Sequence, residues 1–551
     1  MSAPIASTVD SDRHIGGESA HRSFFGRTQP KGRIPALAVC FLVMLVATPL
    51  IGVWGVVIAA AGGLTTVLLT ARTHRGSIID RRIRRSRWKR RTAAGTDRFD
   101  PFDEAEWEVR TSALANARGR KARTAAAREV AAMRAVPDGA DGLGWLQLAP
   151  REPGIAWHAP SGEPEYLSVA FTVTGQASGL ESPSAMRQAA AAWGAFLESK
   201  ASASNLASSV QTITRVLPPD SAMQEFWVLS ALDDAAPADA VQSYEDVLRL
   251  TGENAMVQRH YIVLRWQVTE QFRDAALKYG TGRDGWRGLM RQEISSTITG
   301  LRDARLGEVE VLSARRLAAM ILHQQNPSRP IDYVADIDPT SLGLSSHDEF
   351  SAHVVDDSDP VTGETVTWWH RTAAITSENM AMGARTPLWA LPLLLGNETR
   401  TVRTLSFHLR LIPKGEASSA ARADVVRDTA DVRAAREKGR LVADETGSNM
   451  SAAKRRAADL AHGSPHQGVE WVGFVTISER SRDDLMRGSR ILEDACATQL
   501  GVTRLDWLDS YQAAASGTTW PIARGLNPGT PSFATRTVNR MAGRSDKDSL
   551  S

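Results

Sequence analysis

The sequence predicts an α+β protein: an N-terminal transmembrane helical hairpin, then a cytoplasmic domain of split β-α-β (ferredoxin-like) units with a helical insertion. Three observations carry that reading. Residues 34–71 form 38 positions without a charged side chain. From about residue 164 onward, segments of period-two hydrophobicity alternate with segments of helical period. The chain has 551 residues, more than a single hydrophobic core usually serves.

The apolar segment comes first. One membrane span needs about 20 residues and two need at least ~34, so 38 suits a tight two-helix hairpin over 34–71. A single long span or a cleaved signal peptide are the competing readings. The second fits poorly, because 33 mostly polar residues precede the segment and it exceeds a signal peptide's apolar core. Pro49, Gly52, Trp54 and Gly55 mark the expected turn: a helix breaker, two glycines and an interfacial aromatic. Both flanks are basic. Arg22, Arg27, Lys31 and Arg33 precede the hairpin. Arg72, Arg75, Arg81, Arg82, Arg84, Arg85, Arg87, Lys89, Arg90 and Arg91 follow it. The positive-inside rule then predicts a multi-pass inner (plasma) membrane protein with both termini cytoplasmic.

Charge is unevenly spread. The run 72–91 holds ten basic residues against Asp80, a net of +9, while the whole chain carries only +3 and the remainder −6. The run reads as a juxtamembrane anchor touching anionic lipid headgroups, or alternatively as a site that tethers nucleic acid. The acidic balance elsewhere argues against a broad nucleic-acid surface, so direct contact with nucleic acid is not expected. The two cysteines, Cys40 and Cys496, fall in unrelated segments and suggest no disulfide framework.

The remaining elements follow in order. Residues 1–33 are expected to be a disordered cytoplasmic tail, rich in Ser, Gly and His. Residues 72–135 form a basic juxtamembrane segment and then one helix over 103–134. A first α+β block spans 164–326. It opens with a strand at 166–174 and a helix capped by Ser184 that carries Trp193, Phe196 and Leu197. Strands near 210–217 and 256–268 come next, then a helix through Trp286, Leu289, Ile294 and Leu301, and a short strand at 309–312. A loop rich in Asp, Ser and Pro is expected over 327–363. The second block, 364–526, has strands near 365–375, 401–412, 469–477 and 502–508. A helical pair over 418–461 interrupts it, broken at Gly447-Ser448-Asn449, and a helix spans 482–500. Residues 527–551 read as a disordered tail.

Catalytic patterns are few. No G-x-x-x-x-G-K-[ST] occurs. Gly280-Thr281-Gly282-Arg283-Asp284-Gly285 matches G-x-G-x-x-G, but a dinucleotide loop must leave a strand directly, and 270–279 is helix-like. It reads as a connector. Ser451-Ala452-Ala453-Lys454 matches S-x-x-K without an accompanying K-T-G. His347, Asp348, Glu349, His353, Asp356 and Asp357 are the densest potential metal ligands. They lack H-E-x-x-H spacing and read as a solvated acidic turn. His462 and His466 flank Pro465 as loop residues, and Trp368-Trp369-His370 reads as a core or interface cluster. No catalytic residue, cofactor or metal site is expected, and the chain is read as a non-enzyme.

Several segments carry a resemblance: the hairpin, the strand Leu167-Ser168-Val169-Ala170-Phe171-Thr172-Val173-Thr174-Gly175, and Ala192-Trp193-Gly194. Arg215-Val216-Leu217-Pro218, Gly473-Phe474-Val475-Thr476-Ile477-Ser478 and Pro521-Ile522-Ala523-Arg524-Gly525-Leu526 complete them. Their order resembles the actinobacterial integral membrane proteins of conjugation-like (type IV secretion-related) systems. In these a PrgI-like hairpin is joined to the non-ATPase N-terminal region of a TraC/CagE-type conjugation ATPase. The likeness covers about residues 25–526, and nothing is carried over at 356–385. The last segment is similar to the stretch that precedes the nucleotide-binding module in the larger ATPases. The resemblance implies a membrane-anchored docking platform for a separately encoded P-loop ATPase. Membrane lipids, other secretion-apparatus subunits and further copies of the chain are the implied partners.

Overall fold

The computed structural model describes residues 33–70 and 78–525, apart from short internal stretches of which 381–392 and 394–400 are the longest. The tails expected over 1–33 and 527–551 lie outside the described residues, except Arg33. So do Arg72 and Arg75.

Helices α1 (Arg33–Ile51) and α2 (Val53–Thr70) fold back on each other. Of the residues expected at the turn, Gly52 lies between the two helices, Pro49 within α1, and Trp54 and Gly55 within α2. Gly52 adopts φ +61, which favours glycine, and a Cβ on Gly55 would lie 2.6 Å from the Thr48 backbone nitrogen. Pro49 sits in the last turn of α1, and Trp54 is 71% exposed at the start of α2. The transmembrane reading is overturned: among the described residues no helix is long and apolar enough to cross a membrane. The break at Gly52 divides the apolar stretch into helices of 19 and 18 residues, at the low end of the ~17–25 residues a span takes. The multi-pass inner-membrane location, with both termini cytoplasmic, is therefore corrected.

Then come α3 (Ile78–Ala94), β1 (Arg98–Pro101), α4 (Glu104–Asn116), α5 (Arg120–Ala132), β2 (Met133–Arg134), β3 (Leu143–Trp145) and β4 (Ala156–His158). The single helix expected over 103–134 is two helices, because the chain turns at Gly119 with φ +86. Asp103 caps α4 through the Glu106 amide.

Next are β5 (Tyr166–Val173), α6 (Pro183–Lys200), β6 (Ala207–Leu217), α7 (Ala222–Ala231), α8 (Ala238–Gly252), β7 (Val257–Gln267), α9 (Glu270–Leu277), α10 (Gly282–Asp303), β8 (Val309–Val311) and α11 (Ala314–Gln325). The cap of α6 is Ser182, two residues before the expected Ser184, because Pro183 suits the first helical position. Strands β9 (Ser346–Glu349) and β10 (Ala352–Ser358) form a hairpin where a loop was expected. There follow β11 (Thr365–Ile375), β12 (Val402–Ile412), α12 (Lys414–Glu437), α13 (Asp444–Asp459), β13 (Gly468–Glu479), α14 (Arg482–Thr498), β14 (Asp506–Trp507) and α15 (Gln512–Ser516). The expected helical pair exists, but Gly447, Ser448 and Asn449 lie inside α13 rather than at the break. The strand expected over 502–508 shrinks to β14.

The fold is α+β around one mixed 14-stranded sheet. Its order is β2-β1-β9-β10-β11-β13-β12-β6-β7-β5-β4-β3, with β14 beside β11 and β8 beside β5. Only β1 and β2 pair in parallel among the described strands. The two sequence blocks are thus continuous. In the first, β5 to β8 lie in the order β8-β5-β7-β6; in the second, β11 to β14 lie as β14-β11-β13-β12. Each block inserts a helical pair between its second and third strands, α7–α8 in one and α12–α13 in the other. The second strands, β6 and β12, join the blocks antiparallel from Arg403↔Val216 to Arg410↔Ser209.

The two faces of the sheet differ. One is apolar: Leu167, Val169 and Phe171 on β5 and Leu264 and Trp266 on β7 pack under Phe196 of α6 and Leu289 and Ile294 of α10. Val475 and Ile477 of β13 pack under Leu485 and Leu492 of α14 on the same face. Burial stabilises each such side chain by about 1.5–3 kcal/mol. The opposite face is covered by α11 and residues 512–525, through Leu317, Ile321, Trp520 and Ile522.

Candidate functional site

Eight basic residues cannot share one 17-residue helix unless most reach water, and α3 obeys this. Arg81, Arg82, Arg85, Arg87, Lys89 and Arg90 are exposed. Arg84 and Arg91, seven residues apart and so on one face, instead grip the body of the protein. Arg84 donates to the Trp507 carbonyl at 2.8 Å and to Asp506 at 3.1 Å. Arg91 is 8% exposed and donates to Asp348 (2.6 Å), Asp138 (3.0 Å) and the carbonyls of Ser510 (2.9 Å) and Thr96 (3.1 Å). Its guanidinium stacks on Tyr511, 4.2 Å from the ring centroid. Burial opposes the Arg91 charge, but Asp348 and Asp138 outweigh it and its pKa is raised. Burial pushes the Asp348 carboxyl up to about 7 against the pull of Arg91. Two members of the basic run are therefore internal fasteners. The sequence carries no sign of which two, because their partners come from β9, β14 and distant loops.

The segment those fasteners lead to is itself bound by side chains. Gln211, fully buried on β6, directs its amide at Ser406 and the carbonyls of Thr518 and Trp520, and accepts from the Ala523 amide at 2.8 Å. Gln324 of α11 donates to the Thr519 carbonyl and His408 of β12 to that of Thr518, each at 2.8 Å. Tyr166 of β5 reaches the Ile522 carbonyl, and Arg524 pairs with Asp141 at 3.0 Å. Buried polar groups must find partners, so this pairing aligns 512–525 across both blocks. Pro521, Ile522 and Ala523 are buried, and a Cβ placed on Gly525 would lie 3.4 Å from the His408 ring.

Five histidines line the same polar side. His158, His323, His353 and His370 are almost wholly buried, and His408 is half-buried. Burial depresses all five, His370 and His408 to about 4 and the others well below the usual histidine value. His370 contacts Ser478 at 2.7 Å and the Gln325 carbonyl at 2.8 Å, which makes Trp368-Trp369-His370 a core cluster.

The expected acidic turn at 347–357 is corrected. Asp348 is buried in β9, Asp356 accepts from Thr367, and Asp357 accepts from Arg329 and Asn326, so these carboxylates serve the fold. Among the described residues no group of three or more His, Cys, Asp or Glu could hold a metal ion. The G-x-G-x-x-G stretch joins α9 to α10 and follows no strand. Ser451 and Lys454 lie within α13, His466 contacts Glu198, and His462 lies outside the described residues. Both cysteines are free, and burial pushes the Cys496 thiol up to about 12.

One surface went unread in the sequence. Helices α7 and α8 and the turn between them leave Phe226, Trp227, Leu232, Tyr244, Val247 and Leu250 between 37% and 69% exposed. Residues 220–253 hold eight acids and one base, a net of −7, and that imbalance was the available signal.

No protein-family model matches the chain, and no curated protein matches it significantly.

Proposed function

We propose that this chain is a non-enzymatic structural component of a conjugation-like, type IV secretion-related apparatus. It is built on two split β-α-β (ferredoxin-like) units and docks a separately encoded P-loop ATPase. The strand orders β8-β5-β7-β6 and β14-β11-β13-β12 support the two-unit reading.

The binding of 512–525 carries the docking reading. In the ATPases that the sequence resembles, the stretch similar to 521–526 leads into a nucleotide-binding module, and 512–525 runs into that stretch here. Here Gln211, Gln324, His408 and Tyr166 hold it across both units, and Trp520 is 1% exposed. A stretch held at so many points gives a rigid base against which a separate ATPase is positioned. Affinity purification of the full tagged chain from its native host should co-purify a P-loop ATPase, identified by mass spectrometry. Recovery of the chain without any such ATPase would overturn the proposal.

A further inference from the structure

The charge of this protein is concentrated in two stretches of its sequence. Residues 72–91 carry +9 and residues 220–253 carry −7, so the rest of the chain is nearly neutral. On α3, Arg81, Arg82, Arg85, Lys89 and Arg90 face water beside the exposed apolar side chains Ile78 and Ile83. Along α7, α8 and the turn between them, the acids Asp233, Asp239 and Glu245 are exposed, as are the apolar side chains Phe226, Trp227 and Val247. Each surface joins apolar groups to charge of one sign, and the signs are opposite.

The fold keeps both surfaces presented. Arg84 and Arg91 fix α3 to β14 and β9, at the second unit. The α7–α8 pair emerges between β6 and β7 of the first, where Phe226 packs on Tyr333 at 5.6 Å between ring centroids. A segment that exposes both aromatic and acidic side chains calls for an occupant that is apolar and basic. A helix of 17 residues such as α3, about 26 Å long, is long enough to lie along the 15-residue α8.

We infer that the α7–α8 segment of one copy receives helix α3 of a second copy. The contact is heterologous, because a different surface is used on each side. Repetition around an axis then yields a ring if the rotation closes, and an open filament if it does not. The inference goes beyond the ATPase reading and does not depend on it.

Sedimentation velocity of the full chain in a mild non-ionic detergent, which masks apolar α1 and α2, tests the contact. Association is expected at about 0.05 M salt and should weaken at least tenfold at about 0.5 M. One variant reverses the basic surface (Arg82→Glu, Arg85→Glu, Lys89→Glu) and another the acidic one (Asp239→Lys, Glu245→Lys). Each alone should sediment as a monomer with an unchanged melting temperature. Mixed together they should associate again, since each reversed surface then meets an opposite charge. A monomeric wild type at low salt would overturn the inference, as would variants that associate like the wild type. Failure of the mixture to re-associate would also overturn it. So would loss of binding to a single-stranded oligonucleotide on reversal of α3 with self-association unchanged, which would assign that helix to nucleic acid.

Discussion

Arg91 leaves a run of ten basic residues to enter the interior, and its surroundings explain why it is tolerated there. Two carboxylates, two carbonyls and an aromatic face meet one guanidinium. Arginine's planar fork suits several acceptors at once, whereas lysine is a point charge. Truncating it would leave Asp348 buried without its counter-ion, still accepting from the Ala513 amide at 2.7 Å. Arg91→Ala should therefore cost about 3–5 kcal/mol in urea unfolding, and Arg91→Lys should recover only part of it. Exposed Arg82→Ala should change stability by less than about 0.5 kcal/mol. The local sequence around the two arginines is almost the same, R-R-I-R-R-S-R-W-K-R-R, so composition does not separate them.

At the scale of elements, the long strands were legible and the connections were not. Residues 166–174 alternate with period two, and β5 spans Tyr166–Val173 as that pattern requires. The helix expected over 103–134 failed at Gly119, where a positive φ ends one helix and begins another. The hairpin β9–β10 was hidden because its acidic residues read as a loop, while in the fold Asp348 has an arginine and Asp356 a threonine. The segment 512–525 depends on a close backbone approach. A Cβ on Gly517 would lie 2.6 Å from the Gly139 Cα, in a place where neither backbone can yield cheaply. Gly517→Ala should loosen the segment and make it cleavable by limited proteolysis, with a stability loss of about 1–3 kcal/mol. Unchanged protease resistance would refute that account.

At the scale of the whole molecule, the polar side of the sheet sets the response to pH. A histidine with a folded-state pKa below its unfolded value binds its proton more readily in the unfolded chain. Stability is then full above about 6.5 and is lost as pH falls toward the folded value. For His370, held to about 4, the loss is at most about 3 kcal/mol and is complete near pH 4. His408 acts in the same direction over the same window. Asp348 opposes them, since a carboxyl raised to about 7 favours the fold at lower pH, and burial raises Asp141, Glu479 and Asp509 in the same direction. The five histidines and His260, which burial also depresses, outnumber these four carboxyls, so urea unfolding should show stability falling between about pH 6.5 and 4, and His370→Gln should flatten that slope. An unaltered slope in the variant would remove His370 from the explanation.

The sequence by itself determined the α+β class, the approximate places of the long strands and the concentration of positive charge in 72–91. These are properties of local periodicity and composition, which neighbouring residues carry together. It also marked Pro49, Gly52 and Gly55 as a turn, because helix breaking is a local property of the backbone. Only the tertiary structure decided that the two blocks share one sheet through β6 and β12, and that Arg84 and Arg91 face inward. It likewise decided that 512–525 closes the polar face and that the aromatics of α7–α8 stay exposed. Each of these depends on partners more than a hundred residues away or on how the described elements pack around the segment, and no local window of sequence contains them.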